Sequence, residues 1–188
     1  MISTNVETPT GNLYIGDKEE YLAYRLNPSF FSGDVLGITT DPWQTDALLN
    51  DASRILLNCS RQSGKSTVAA IKSLHRALFY PDSRILIVSP TQRQSGELFY
   101  TIKQLFYSMP NRPELIKKTE TTIILENGSR IISIPGSEDT IRGYSAVNLL
   151  IIDEAARVRD EIYAAVRPML ATTEGQLILL STPKGRMG

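Results

Sequence analysis

From Arg54 onward, short apolar runs alternate with stretches in which apolar residues recur at helical spacing. Arg54–Cys59, Arg84–Ser89, Asn148–Ile152 and Gln176–Leu180 are continuously apolar rather than alternating, the pattern of strands buried on both faces. Helical patterns lie between them. One runs from Lys65 to about Tyr80 and stops at Pro81. A second, Ser95–Ser108, carries Leu98, Ile102 and Leu105 at helical spacing, and a third covers about Asp160–Leu170. Thr121–Leu125 and Arg130–Ile134 flank Glu126-Asn127-Gly128-Ser129, and Asn-Gly between apolar runs is a strong hairpin signal. These elements predict an α/β fold: a mostly parallel central sheet, helices on both faces, and a β-hairpin insertion near 121–134. Residues 1–40 show weak periodicity and one short predicted helix, Lys18–Leu26, ended by Asn27-Pro28. They read as a leader or lid segment ahead of a domain spanning 41–188.

Composition narrows the class. The 188 residues suffice for one core, and 41% hydrophobic with 21% charged residues is the balance of a globular chain. No apolar run approaches the roughly 20 residues that cross a bilayer, so no membrane partner is expected. The opening residues lack a secretory pattern. Cys59 is the only cysteine, which excludes an internal disulfide and suits a reducing cytoplasm. Twenty basic side chains balance twenty acidic ones. Residues 1–50 hold two basic and seven acidic side chains, a net of −5, which leaves +5 on the remainder. That distribution permits a polyanionic partner without demanding one.

The candidate chemistry falls at the carboxyl ends of the predicted strands, where parallel sheets bind ligands. Ser60-Arg61-Gln62-Ser63-Gly64-Lys65-Ser66-Thr67 lies between a strand and a helix, the context of a phosphate-binding loop. Its backbone N–H groups would wrap the phosphates of ATP, Lys65 would reach the β and γ phosphates, and the Ser66 hydroxyl would ligate Mg²⁺. The general pattern opens on glycine, and here Cys59 stands at that position. Leu149-Leu-Ile-Ile152 ends in Asp153 and Glu154, 88 residues after Lys65 (153 − 65). Asp153 would hold Mg²⁺, and Glu154 would orient the attacking water. Ser181-Thr182-Pro183 closes the next strand; it reads either as a γ-phosphate sensor or as an ordinary strand exit. Arg61 could steady γ-phosphate charge or be a surface charge. Arg142 could be an arginine finger or a solvated side chain. The Gln44 amide could pair with adenine, while Trp43 and His75 read as core or surface residues.

Together the motifs resemble the ATPase domain of the tailed-bacteriophage terminase large subunit, the DNA-packaging motor. The resemblance rests on Ser60–Ser66, Val88-Ser-Pro-Thr-Gln-Arg93, Ile141-Arg-Gly-Tyr144, Leu149–Ala155 and Ser181-Thr-Pro-Lys-Gly185, and covers roughly Trp43 to Gly188. It implies a P-loop NTPase of the ASCE/RecA-like kind that couples ATP hydrolysis to translocation of double-stranded DNA into a procapsid in the host cytoplasm. It also implies catalytic roles for Glu154, Arg61 and Arg142, with Gln44 at the adenine motif and Ser181, Thr182 and Pro183 as the coupling motif. The implied partners are a homo-oligomeric ring, typically a pentamer, a portal and a small terminase subunit. The family's nuclease domain has no counterpart before Gly188, so ATPase activity without DNA cleavage is expected. A helicase-like ATPase and a non-hydrolysing nucleotide switch are the alternatives. Arg93, Arg112, Lys117, Lys118 and Arg130 are candidate DNA contacts that the sequence does not separate from solvated charges.

Overall fold

A computed structural model describes residues 17–136, 141 and 143–183. Seven strands form one sheet: β1 Arg54–Asn58, β2 Arg84–Ser89, β3 Leu115–Lys118, β4 Thr122–Leu125, β5 Arg130–Pro135, β6 Leu149–Ile152 and β7 Gln176–Ser181. Their order is β1-β7-β6-β2-β5-β4-β3. The first five in that order run parallel, and β4 and β3 complete the sheet antiparallel. β7 therefore stands between the strand that leads into the phosphate loop and the strand that ends in the acid pair.

The expected hairpin is present as β4–β5, but it is not an appendage. β5 pairs in parallel with β2 from Arg84↔Arg130 to Ser89↔Pro135, so the hairpin continues the main sheet. Its Asn-Gly turn also has a structural duty. Gly128 takes φ +82°, and Asn127 Nδ2 donates to the carbonyls of Ala77 and Leu78, covering the end of the helix above. β3 is an edge strand with only half-buried or exposed side chains, which is why its sequence carries no apolar pattern.

One face of the sheet is covered by α1 Lys18–Leu26, α2 Pro28–Phe30 with a π-helical turn Phe31–Val35, α3 Pro42–Leu49, α4 Lys65–Phe79 and α5 Gln92–Ser108. The central layer is α4, whose Val68, Ile71, Leu74, Leu78 and Phe79 are buried against Ile85, Ile87 and Ile151 of the sheet. Phe31 is fully buried in the same cluster, and Tyr21 and Tyr24 pack on it, so the described part of the leader segment joins this core. The opposite face has less cover. There α6 Asp160–Val166 and a 3-10 turn Arg167–Leu170 bury Leu86, Val88, Leu150, Ile152 and Leu177. The predicted single helix over Asp160–Leu170 tightens into this 3-10 turn where Pro168 lacks an N–H.

Candidate nucleotide site

The phosphate loop leaves β1 and is held beside β7 by Cys59 N–H donating to Ser181 O at 3.1 Å. Ser63 Oγ donates to Ser60 O at 2.9 Å and closes the turn. Two of its residues take left-handed backbone, Gln62 at φ +59° and Gly64 at φ +88°. Only the second is glycine, so Gln62 bears a strain of order 1–3 kcal/mol that the surrounding loop must hold. Gly64 caps α4 and brings no side chain to the helix's first N–H groups, at Lys65, Ser66 and Thr67, and among the described residues no side chain caps them. These donors, with the helix dipole behind them, make an anion-binding end.

The absence of a Cβ at Gly64 has a local reason. A methyl placed there would sit 2.4 Å from Gln44 Nε2. That amide donates to Ser63 O at 3.1 Å, and Gln44 Oε1 accepts from Asp41 N–H at 3.0 Å in the α3 capping box. Gln44 therefore ties α3 to the phosphate loop. One N–H and one lone pair of the amide remain for any base contact. Trp43 is half-buried against the larger core cluster, as its sequence context indicates.

The acid pair sits where β6 runs out. Asp153 N–H donates to Val88 O at 2.8 Å, the last backbone bond toward β2. Glu154 takes φ +51°, and its N–H donates to Asp153 Oδ1 at 3.0 Å. A 3-10 turn, Ala155–Arg157, follows, and Ala156 N–H donates to Ser181 Oγ at 3.3 Å. Burial pushes the Asp153 carboxyl up to about 6 from its ordinary 3.8; the Glu154 N–H and the Lys65 ammonium oppose this, and the Glu154 and Glu97 charges add to it. Lys65 and Asp153 are both about nine-tenths buried and electrostatically coupled. The phosphate-loop cation and the strand-end carboxylate thus stand near enough for their charges to interact.

On the outer side of this pair, Arg61, Glu154, Ala156, Arg157, Thr182 and Pro183 line a cleft of about 290 Å³. Ser89 Oγ and Thr182 Oγ1 at the strand ends are buried without hydrogen-bond partners, donors and acceptors left for another group. Arg157 is absent from the sequence-based candidates. The 3-10 turn brings its Nε to 3.9 Å from Glu154 Oε2. A basic residue three positions past the acid pair was the available signal, but only the turn geometry gives it meaning. Arg142 lies outside the described residues. Ser66 stands at the start of α4, with Thr67 after it, both half-buried.

Among the described residues, no three or more His, Cys, Asp or Glu converge into a metal cage. Mg²⁺ held beside a triphosphate does not need one, since a hydroxyl, one carboxylate, phosphate oxygens and water complete its octahedron. Asp153, desolvated and facing a second carboxylate, is a group that a divalent cation would stabilise in its charged form.

A family model, terminase large subunit, T4likevirus-type, N-terminal, matches residues 56–187. The chain belongs to that family. The terminase, large subunit, of Thermus phage G20c is 25% identical over 181 residues, covering 86% of this chain and 37% of the relative. The chain thus spans little more than a third of that terminase's length. The large terminase ATPase domain of Thermus phage P74-26 superposes with a TM-score of 0.70 at 24% identity, covering 85% of this chain and 71% of that one. A large terminase from a thermophilic bacteriophage, in complex with ATP-γ-S, gives 0.56 at 15% identity, covering 77% and 38%. At these identities the structural likeness concerns the terminase fold.

Proposed function

We propose that this terminase chain hydrolyses ATP with Mg²⁺ and that hydrolysis drives double-stranded viral DNA into a procapsid. The observation that carries the reading is the nearness of Lys65 and Asp153, whose charges interact, together with the adjoining cleft lined by Arg61, Glu154 and Thr182. The thermophilic-phage terminase in complex with ATP-γ-S supports a nucleotide as occupant. The N–H groups from Ser60 to Thr67 wrap the phosphates, and the Lys65 ammonium neutralises the outer two. The Ser66 hydroxyl and the Asp153 carboxylate hold Mg²⁺, which supplies charge stabilisation for the transferring phosphoryl group when bound. Glu154 orients the attacking water, and Arg61 faces the γ-phosphate. Gln44 offers its remaining amide N–H and lone pair to adenine. Arg142 serves as a finger across the interface of a homo-oligomeric ring, a pentamer by resemblance. Ser181, Thr182 and Pro183 report loss of the γ-phosphate. The ring works with a portal and a small terminase subunit in the host cytoplasm, and among the described residues no helix is long and apolar enough to cross a membrane.

Phosphate release by the wild type and Glu154→Ala tests the reading. A loss of roughly 10²–10⁴-fold is expected for removing a positioned base, with ATP-γ-S affinity retained. Equal rates would discard hydrolysis and leave a nucleotide switch. Arg142→Ala should bind ATP-γ-S normally and regain turnover when mixed with Glu154→Ala protein if the arginine acts in trans.

A further inference from the structure

The sheet is covered unevenly, and its flank formed by β3, β4 and β5 has an open face. Cross-strand partners point to the same side of a sheet. Lys117 pairs with Ile124, Ile124 with Arg130, and Arg130 with Arg84. These four lie in one row across β3, β4, β5 and β2. Their neighbours in the strands, Ile85, Ile123, Leu125 and Ile131, are buried in the cluster beneath α4 and α5. The row therefore faces the other way, beyond the cover of α6. Lys117 and Arg130 are exposed, and Ile124 and Arg84 are half-buried.

A β-bulge sets this arrangement. Leu115 pairs with Leu125, but the register shifts before Lys117, so Lys117 meets Ile124 instead of Ile123. Without the extra residue, Lys117 would point toward α5. With it, Lys118 takes that side, where its ammonium lies 4.4 Å from the Tyr107 ring centre, with the Arg112 guanidinium at 5.3 Å. The bulge thus sends one lysine to each face.

Among the described residues, no carboxylate pairs with the three cations of the row; the ion pair within 4.0 Å is Arg157–Glu154. Arg84 is anchored by its guanidinium donating to Ser145 O and its N–H donating to Asn148 Oδ1. At a strand spacing of about 4.8 Å the row is roughly 14 Å long. That is about four nucleotide steps of one DNA strand at 3.4 Å each. A cationic, weakly apolar sheet face has no helix or ribbon to enter a groove and read bases; it matches the phosphate backbone, whose contacts position without specifying sequence. We propose that this open face, through Lys117 and Arg130 with Arg84 behind them, is where the chain contacts the phosphates of duplex DNA. The proposal rests on the packaging reading above and assigns it a surface, at the amino ends of β2 and β5, opposite the nucleotide cleft.

The test uses the 188-residue chain and a fluorescent duplex of random sequence, with binding followed by anisotropy across a salt series. Lys117→Ala/Arg130→Ala should weaken binding about tenfold or more and reduce the slope of log K against log salt by about 2. Arg112→Ala/Lys118→Ala, on the other face, should leave both unchanged. Equal ATP-γ-S affinity in all three proteins shows that the variants are folded. Equal DNA loss in both doubles, no loss in the first, or no wild-type binding at low salt would overturn the proposal. So would a change in self-association without a change in DNA binding, which would make the face a contact between copies. Failure of ATP-γ-S to bind the wild type would instead strike the nucleotide reading and leave the DNA result standing.

Discussion

Two lysines on one helix show how this fold divides its labour. Lys65 opens α4 and Lys72 follows two turns later; both are withdrawn from water. Lys72 points to the amino end of the parallel strands, where its ammonium donates to Ala47 O, Leu48 O and Asn50 O at 3.1, 3.0 and 2.7 Å and closes the end of α3. Lys65 points to the carboxyl end and makes no hydrogen bond to a described residue; it is coupled to the charge of Asp153. The contrast extends around each. At the amino end His75 Nε2 bonds Tyr24 O and Gln176 Nε2 bonds Ala52 O. At the carboxyl end the hydroxyls of Ser89 and Thr182 are buried without hydrogen-bond partners. Lys72 satisfies carbonyls of the chain itself, whereas Lys65 and the two hydroxyls are left for another group.

Exchanging the roles of the two lysines is the sharpest way to break this contrast. Lys65→Ala should reduce ATP-γ-S affinity about 100-fold, the worth of roughly 3 kcal/mol of charge-assisted contact. Its Tm without nucleotide should be unchanged or higher. A large fall in Tm would mean that Lys65 is structural after all.

The two ends also titrate in opposite senses. Burial lowers His75 to about 4 from 6.5, so the stability it contributes is present above pH 6.5 and lost as pH falls through 4. Burial raises Asp153 to about 6 from 3.8, so its contribution is present below pH 3.8 and lost as pH rises through 6. His75→Phe should remove an acid-side loss of about 3 kcal/mol from denaturation curves between pH 6.5 and 4. Asp153→Asn should be more stable than wild type at about pH 7, by roughly 2–3 kcal/mol, when no nucleotide is bound. Parallel curves for wild type and both variants would remove the contrast.

Lys72→Met should lower unfolding stability by about 2 kcal/mol, since three carbonyls lose their donor, with ATP-γ-S affinity kept at temperatures where it is folded. The smallest effect belongs to Gly64→Ala. A left-handed alanine costs about 1–2 kcal/mol, and the methyl must displace Gln44. If Gln44→Ala/Gly64→Ala is no more stable than Gly64→Ala alone, the close approach of the two does not matter.

What could be read beforehand follows the same division. β2 and the helix Lys18–Leu26 occupy the residues expected, and β1, β6 and β7 differ by one residue at an end. β2 and β6 are buried nearly throughout and so must be apolar, whereas β1, expected to be buried on both faces, is an edge strand that leaves Leu56 63% exposed. β3 escaped notice since Leu115-Ile-Lys-Lys118 takes its place through pairing with β4, at an edge where burial asks little of its side chains. Helix α3 also escaped: no apolar stripe marks it, although Asp41-Pro42 carries its cap. The start of α5 at Gln92 rather than Ser95 follows from Thr91, whose Oγ1 accepts from Gln94 N–H. At the site, the phosphate loop and the acid pair were legible because local motifs encode them. Arg157 beside Glu154, and Gln44 against Ser63 O, depend on how separate segments meet, which no spacing encodes.

Ser181 belongs to two partnerships at once. Its carbonyl accepts from Cys59 at the mouth of the phosphate loop, and its hydroxyl accepts from Ala156 just past the acid pair. Any widening between those flanks by about an ångström must therefore carry at least one of the two bonds beyond hydrogen-bond range. A widening of that gap cannot leave both contacts at the tip of β7 intact.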